Sequence, residues 1–328
     1  MPLLEALSRN MEEVVTAEEI KALSSTGAKA YIGIEPSGLP HIGTGFLWAK
    51  KMTEVYNQGV ETTILLADWH AMINDKLGGD LDKIRESGET IMKTMRAFGL
   101  PDGVKFVWAK DVVANSDYWK LLLQVAKNSN LARITRALPI MGRSEEEAEK
   151  DFSKYIYPLM QVTDIFYMNL DIAFGGMDQR HAHMLARDIA EKMGRKKVIS
   201  IHGSLLGSLK GSGRMDTFKK MSKSDPDSAI FISDSREEVN RKLKGAFCPA
   251  AQIEGNPVMD LFRHVVFPYI DHEVTIHRPP KKGGELQVKS YNELESLYLK
   301  NEIHPMDLKS AAADSLNELI EPGRAVFR

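Results

Sequence analysis

The first hundred residues alternate between two periodicities, and this alternation restricts the fold more than any other feature of the chain. Tyr31–Ile34 is a short β-favouring run that stops at Glu35-Pro36-Ser37-Gly38. In His41–Asn57, Ile42, Phe46, Ala49, Met52 and Tyr56 recur every three or four residues, the spacing of one helix face. Thr62–Ala67 is an apolar strand, Asp82–Phe98 is helical and Val104–Trp108 is strand again. Parallel strands need a long connection, which a helix supplies, so the pattern predicts an α/β fold with a Rossmann-like parallel sheet. From Asn115 to Lys154 the pattern is helical and ends in the acidic run Ser144–Lys150, which predicts a helical insertion over 115–154. Tyr155–Met168 and Met177–Met193 then read as helices, and Asp171–Phe174 and Lys197–Ile201 as strands. Gly203–Asp227 is rich in Gly, Ser and Lys and has no period, so it reads as a loop. After Ile230 the helical period returns in Arg236–Phe247, Pro257–Tyr269, Asn292–Leu299 and Pro305–Ile320. Two domains are therefore expected, an α/β domain over 1–215 and a mostly helical one over 216–328.

Composition narrows the partners. The hydrophobic share is 43% and the charged share 27%, enough for an ordinary globular core. The net charge of −2 provides no global attraction to nucleic acid, so any RNA contact must come from local basic patches. A single cysteine, Cys248, excludes an internal disulfide and fits a reducing compartment. The N-terminal stretch is amphipathic and acidic, unlike a signal peptide, and no run approaches the roughly 20 apolar residues of a membrane helix. A cytoplasmic protein without a membrane partner is expected.

Three segments carry side chains suited to chemistry. Pro36-Ser37-Gly38-Leu39-Pro40-His41-Ile42-Gly43-Thr44 joins the first strand to its crossover helix. At such junctions open α/β sheets expose backbone N–H groups to phosphates. Gly38 and Gly43 leave room for a ligand, and His41 can donate to a phosphate oxygen. A plain strand–helix turn has the same composition, so the segment alone leaves both readings standing. Lys220-Met221-Ser222-Lys223-Ser224 sets two lysines around a serine. Such a loop can close over a triphosphate and neutralise transition-state charge; a solvated linker is the other reading. In Tyr155–Arg180, helical spacing puts Tyr157, Gln161 and Asp164 on one polar face amid apolar neighbours. That face either lines a small pocket or meets solvent. Its sequel, Phe174-Gly175-Gly176-Met177-Asp178-Gln179-Arg180, is a second strand–glycine–helix junction, where Asp178 can bind ribose hydroxyls. His181 and His183, two apart on a helix, point roughly 200° apart and do not suit a shared metal.

HIGT followed downstream by KMSKS resembles the paired signature of class I aminoacyl-tRNA synthetases. YIGIEPSGLPHIG, ILLADWHAMIN, IYPLMQVTDIFYMNLDIAFGGMDQRHAHMLARD, EGNPVMDLFRHVVFP and HPMDLK resemble the archaeal and eukaryotic tyrosyl-tRNA synthetases, over about residues 10–325. The resemblance implies a tyrosine–tRNA ligase, using ATP and Mg²⁺ to activate L-tyrosine and load it on the 3′-terminal adenosine of tRNA(Tyr). It implies phenol contacts from Tyr31 and Asp164 and an ammonium clamp of Tyr157, Gln161 and Gln179. Gly33, Glu35, Gly176 and Asp178 match positions around ATP, joined by Gly38 and Gly43 of the first segment. Charge stabilisation would fall to His41, Lys220 and Lys223, and no protein metal site is implied. Arg136 and Arg180 match residues directed at the acceptor stem, and His304 and Asp307 match residues facing the anticodon. Lys282 stands where some relatives place a phenylalanine, so a phosphate contact is expected there instead of stacking. Relatives are homodimers, which assigns Asn115–Arg143 to an interface; Leu121, Leu122, Val125, Leu131 and Ile134 fit that contact and fit a place in the core equally.

Two departures keep other readings open. Thr44 replaces the usual second histidine, and KMSKS followed by Asp-Pro also occurs in bacterial tryptophan enzymes. The alternatives are a tryptophan–tRNA ligase, a nucleotidyltransferase of the same fold, and an RNA-binding paralogue without aminoacylation.

Overall fold

The computed structural model describes residues 2–142, 146, 150–211, 221 and 225–328. The chain divides into two compact units: 1–38, 49–92 and 99–204 form one, and 39–48, 93–98 and 205–328 the other.

The first unit is built on a six-stranded sheet in the order β1-β6-β5-β2-β3-β4. The strands are β1 Glu13–Val15, β2 Lys29–Ile34, β3 Glu61–Leu66, β4 Lys105–Trp108, β5 Ile172–Gly176 and β6 Ile199–Gly203. Five run parallel, as the alternation predicts. The sheet is nonetheless mixed, because β1 pairs antiparallel with β6, Val14 opposite Ile201. Three residues on a sheet edge are too few to show a period-two pattern, so β1 was not legible in the N-terminal stretch. β3 and β4 lie on one side of β2, β5 and β6 on the other. The chain thus reverses direction across the sheet between β2 and β5, the place where open α/β sheets form a ligand crevice.

Helix Ser153–Tyr167 leads into β5 at this switch point. Pro158 lies inside it and removes one backbone hydrogen bond. The helix continues because Tyr157, Leu159, Met160, Val162 and Ile165 are all buried, and this apolar burial outweighs the lost bond. The insertion folds as helices Ser116–Lys127 and Leu131–Ala137, capped by Asn115 and Asn130, whose side chains accept N–H bonds from Asp117 and Arg133. Leu121, Leu122, Val125 and Ile134 are buried in the unit's own core, beside Tyr31, Tyr118 and Met160. Of the two readings open for these four residues, they take the core. Of the five candidates only Leu131 is exposed, at 64%.

The second unit packs helices Arg236–Gly245 and Pro305–Leu319 together. Lys242 is buried there, its ammonium donating to Asp234 Oδ2 (2.7 Å) and Ala229 O (3.1 Å). Pro257–Tyr269, expected as one helix, carries a π-helical segment at Phe262–Val266. A hairpin of β7 Val274–Ile276 and β8 Leu286–Val288 was missed, again because each strand is three residues long. Among the described residues no helix is long and apolar enough to cross a membrane.

Candidate active site

The site is built around one buried carboxylate. Asp164 is 1% exposed on helix Ser153–Tyr167, so its face is not the solvent face of an amphipathic helix. The Tyr118 hydroxyl donates to Asp164 Oδ1 at 2.8 Å. His70 Nε2 lies 2.9 Å from Oδ2, at ion-pair distance though not aligned as a hydrogen bond. Tyr31 on β2, 1% exposed, shares this pocket. Burial and then the Asp164 charge raise the Tyr31 pKa far above its ordinary value, against the opposing effect of a Gln161 side-chain hydrogen bond. Tyr118 is raised in the same way, by burial first and Asp164 second. Burial alone would lower His70, but the charge and contact of Asp164, with Glu35 and Asp68 beyond, outweigh it and raise the pKa. The pocket therefore holds one carboxylate acceptor ringed by neutral phenols and an imidazole.

A second polar group adjoins it. The Tyr157 hydroxyl donates to Glu35 Oε1, and Asn74 Nδ2 bridges Glu35 (3.1 and 3.2 Å) and the carbonyl of Met141 (3.1 Å). Lys76 Nζ sits 3.7 Å from the same carboxylate. Burial, followed by the charge and hydrogen bond of Glu35, pushes the Tyr157 hydroxyl well above its ordinary pKa. Gln161 Nε2 donates to Gln179 Oε1 (3.2 Å), and Gln179 Nε2 donates to Ile140 O (3.1 Å). Gln161 Oε1 is buried without a hydrogen-bond partner. A buried orphan acceptor costs free energy unless something donates to it, and a ligand ammonium would do so.

The structure thus brings together Tyr31, Glu35, Tyr157, Gln161, Asp164 and Gln179 from β2 and the residue that follows it, helix Ser153–Tyr167 and the turn Met177–Gln179. Sequence reasoning missed His70, Asn74 and Tyr118. His70 and Asn74 are four residues apart, the spacing of one helix face, but nothing local ties them or Tyr118 to Asp164. Gly33 is exposed on β2, and Gly176 and Asp178 lie at the C-terminal end of β5 and in the turn that follows. Gly38 has φ +108°, where only glycine is unstrained, and its N–H donates to Ser87 Oγ at 3.0 Å.

The family described as tRNA synthetases class I (W and Y) matches residues 24–321. A tyrosine–tRNA ligase of Picrophilus torridus is 56% identical over 324 residues, covering 99% of this chain and 98% of the relative. A tyrosine–tRNA ligase of Thermoplasma acidophilum is 53% identical, covering 99% and 96%. The chain belongs to the class I tyrosyl-tRNA synthetases. A crystal structure of the tyrosyl-tRNA synthetase from Pyrococcus horikoshii, complexed with L-tyrosine, superposes with a TM-score of 0.92 at 38% identity, covering 99% of this chain and 95% of that one. These matches set aside the tryptophan and paralogue readings.

The signature of this synthetase family has an unusual form here. His41 caps the π-helical turn Ile42–Leu47: the Gly43 N–H donates to His41 Nδ1 at 3.1 Å. The neutral ring then carries its proton on Nε2, which lies 3.1 Å from Thr44 Oγ1. A Cβ at position 43 would come within 2.9 Å of the His41 ring, so Gly43 makes this capping geometry possible. Lys220 and Lys223 lie outside the described residues. Of the residues matched to tRNA contacts in other synthetases, Arg136 is exposed on helix Leu131–Ala137. Arg180 is instead held by Glu13 (2.8 and 2.9 Å), which also meets His202 Nδ1 at 2.8 Å. Lys282 is exposed in the turn Pro280–Lys282. His304 caps helix Pro305–Leu319 by accepting the Met306 N–H, and Asp307 sits in that helix's first turn.

Proposed function

We propose that this synthetase activates L-tyrosine with MgATP and transfers it to the 3′-terminal adenosine of tRNA(Tyr). The observation that carries this reading is a buried Asp164 carboxylate sharing a pocket with the Tyr31 phenol. A substrate phenol donates its proton to Asp164 and accepts from Tyr31. The orphan Gln161 Oε1 accepts from the substrate ammonium, with Tyr157 and Gln179 beside it. A tyrosine carboxylate oxygen attacks the α-phosphorus, the bond to the β-phosphate bridging oxygen breaks, and pyrophosphate leaves. The ribose hydroxyl of the tRNA terminus then attacks the activated carbonyl, and AMP leaves. No side chain acts as nucleophile; catalysis rests on positioning and on charge stabilisation. We assign that stabilisation to His41, Lys220 and Lys223, and nucleotide contacts to Gly33, Glu35, Gly38, Gly43, Gly176 and Asp178. Mg²⁺ enters with ATP as part of that substrate. Arg136 and Arg180 are assigned to the acceptor stem, and Lys282, His304 and Asp307, in the part over 216–328, to the anticodon arm. The enzyme is proposed to act as a cytoplasmic homodimer.

Tyrosine-dependent exchange of pyrophosphate into ATP tests the core of this reading. Exchange is expected with tyrosine, and Asp164→Ala is expected to cripple it while ATP affinity stays within a few-fold. Exchange with tryptophan alone, or with no amino acid, overturns the assignment, and equal loss of tyrosine and ATP binding overturns the pocket.

A further inference from the structure

We infer that Tyr118 and His70 are positioning residues that set how sharply the pocket separates tyrosine from phenylalanine, because they pin the two oxygens of Asp164. The inference rests on the tyrosine reading above.

A carboxylate has about four lone-pair directions and can only accept. Asp164 commits one on Oδ1 to the Tyr118 hydroxyl at 2.8 Å, and Oδ2 faces His70 Nε2 at 2.9 Å. Both partners are themselves held. Tyr118 is fully buried on helix Ser116–Lys127, with its ring edge-on to Tyr167 at 5.5 Å and to Trp119 at 5.8 Å. His70 is 2% exposed on helix Asp68–Ile73 and stands edge-on to Tyr157 at 5.2 Å. Asp164 is thereby held from two helices other than its own, by a hydrogen bond on Oδ1 and an ion-pair contact on Oδ2, and its free lone pairs are presented in one orientation. Phenylalanine would leave those lone pairs and the Tyr31 O–H proton unpaired in a buried site, and tyrosyl-tRNA synthetase is itself the usual example of this kind of rejection. A freely turning Asp164 could satisfy itself elsewhere, and the penalty against phenylalanine would shrink. Discrimination therefore depends on groups that need not touch the substrate.

The test is pyrophosphate exchange with tyrosine and with phenylalanine for the wild type, Tyr118→Phe, His70→Leu and His70→Gln. Tyr118→Phe deletes one hydroxyl and keeps the ring packing. It is expected to raise KM for tyrosine about tenfold or more, as befits a hydrogen bond to a charged group, and to narrow the tyrosine/phenylalanine ratio in kcat/KM by a similar factor. KM for ATP should stay within twofold. His70→Leu should also narrow the ratio, and His70→Gln, which keeps an N–H but not the charge, should restore only part of it. A ratio unchanged in both Tyr118→Phe and His70→Leu, with an active wild type, overturns this inference alone. So does a parallel rise in KM for tyrosine and ATP at constant ratio, which marks a merely structural role. A wild type inactive with tyrosine overturns the functional reading, and the inference with it.

Discussion

A buried carboxylate is tolerated when its charge is matched, and Asp164 meets that condition with a hydrogen bond from Tyr118, 46 positions before it, and an ion-pair contact from His70, still further back in the chain. The polar face Tyr157, Gln161, Asp164 was visible as a spacing, because helical periodicity is local. Its partners were not, because nothing in the immediate surroundings of His70, Asn74 or Tyr118 distinguishes a pocket residue from core filler. His41 shows the same limit from the other side. The histidine was legible as a motif, whereas its link to Thr44 at 3.1 Å appeared only with the fold of the turn. Since the Gly43 N–H occupies His41 Nδ1, the Thr44 hydroxyl is well placed to fix the orientation of the Nε2 proton. Thr44→Val is therefore expected to lower kcat for tyrosine activation roughly three- to tenfold with KM for tyrosine little changed, a loss comparable to one hydrogen bond, and Thr44→Ser to recover it. Single-turnover adenylate formation measures both.

Elements were legible in proportion to their length. Helices Leu81–Ala97, Ser153–Tyr167 and Pro305–Leu319 carry several turns of periodic burial and fall within two residues of expectation. Strands β1, β7 and β8 have three residues each and depend on partners elsewhere in the chain, so no local pattern announces them. Helix Pro257–Leu261 shows how packing changes the chemistry of an element. Asn256 caps it, accepting the Val258 and Met259 N–H groups at 3.1 and 3.3 Å, and Asp260 stands in the first turn where a negative charge is normally favoured. Burial nevertheless pushes the Asp260 carboxyl up to about 6, with the Arg263 charge pulling only partly back. A raised carboxyl pKa means the folded state prefers the protonated form. The associated stability is present below the unfolded value near 4 and is lost as pH rises through about 6. Asp260→Asn should thus melt about 2–4 °C above wild type at pH 8 and show little gain at pH 4, in thermal unfolding followed by circular dichroism.

At the scale of the whole molecule, large apolar side chains stand exposed on the helical insertion. Trp119, Leu123 and Leu131 are 38%, 65% and 64% exposed and belong to the segment expected at a dimer contact, and Phe152, 75% exposed, lies beyond it near the end of the insertion. Large aromatic and aliphatic side chains left in water fit the apolar core of an interface. Leu123→Asp is expected to convert a dimer into a monomer in sedimentation velocity while leaving the tyrosine pocket intact; a monomeric wild type would remove the proposal. The chain's own order of residues determined the alternation that makes a parallel sheet, the placement of glycine-bearing junctions at the ends of β2 and β5, and the helical face that carries Asp164. These are short-range consequences of backbone sterics and periodicity. Tertiary structure alone decided that β1 closes the sheet edge antiparallel, that Leu121, Leu122, Val125 and Ile134 turn inward while Leu123 and Leu131 do not, and that Tyr118 and His70 meet at one carboxylate. Those outcomes depend on which distant surfaces bury most apolar area and satisfy most polar groups together, a sum over the whole unit that no local window contains.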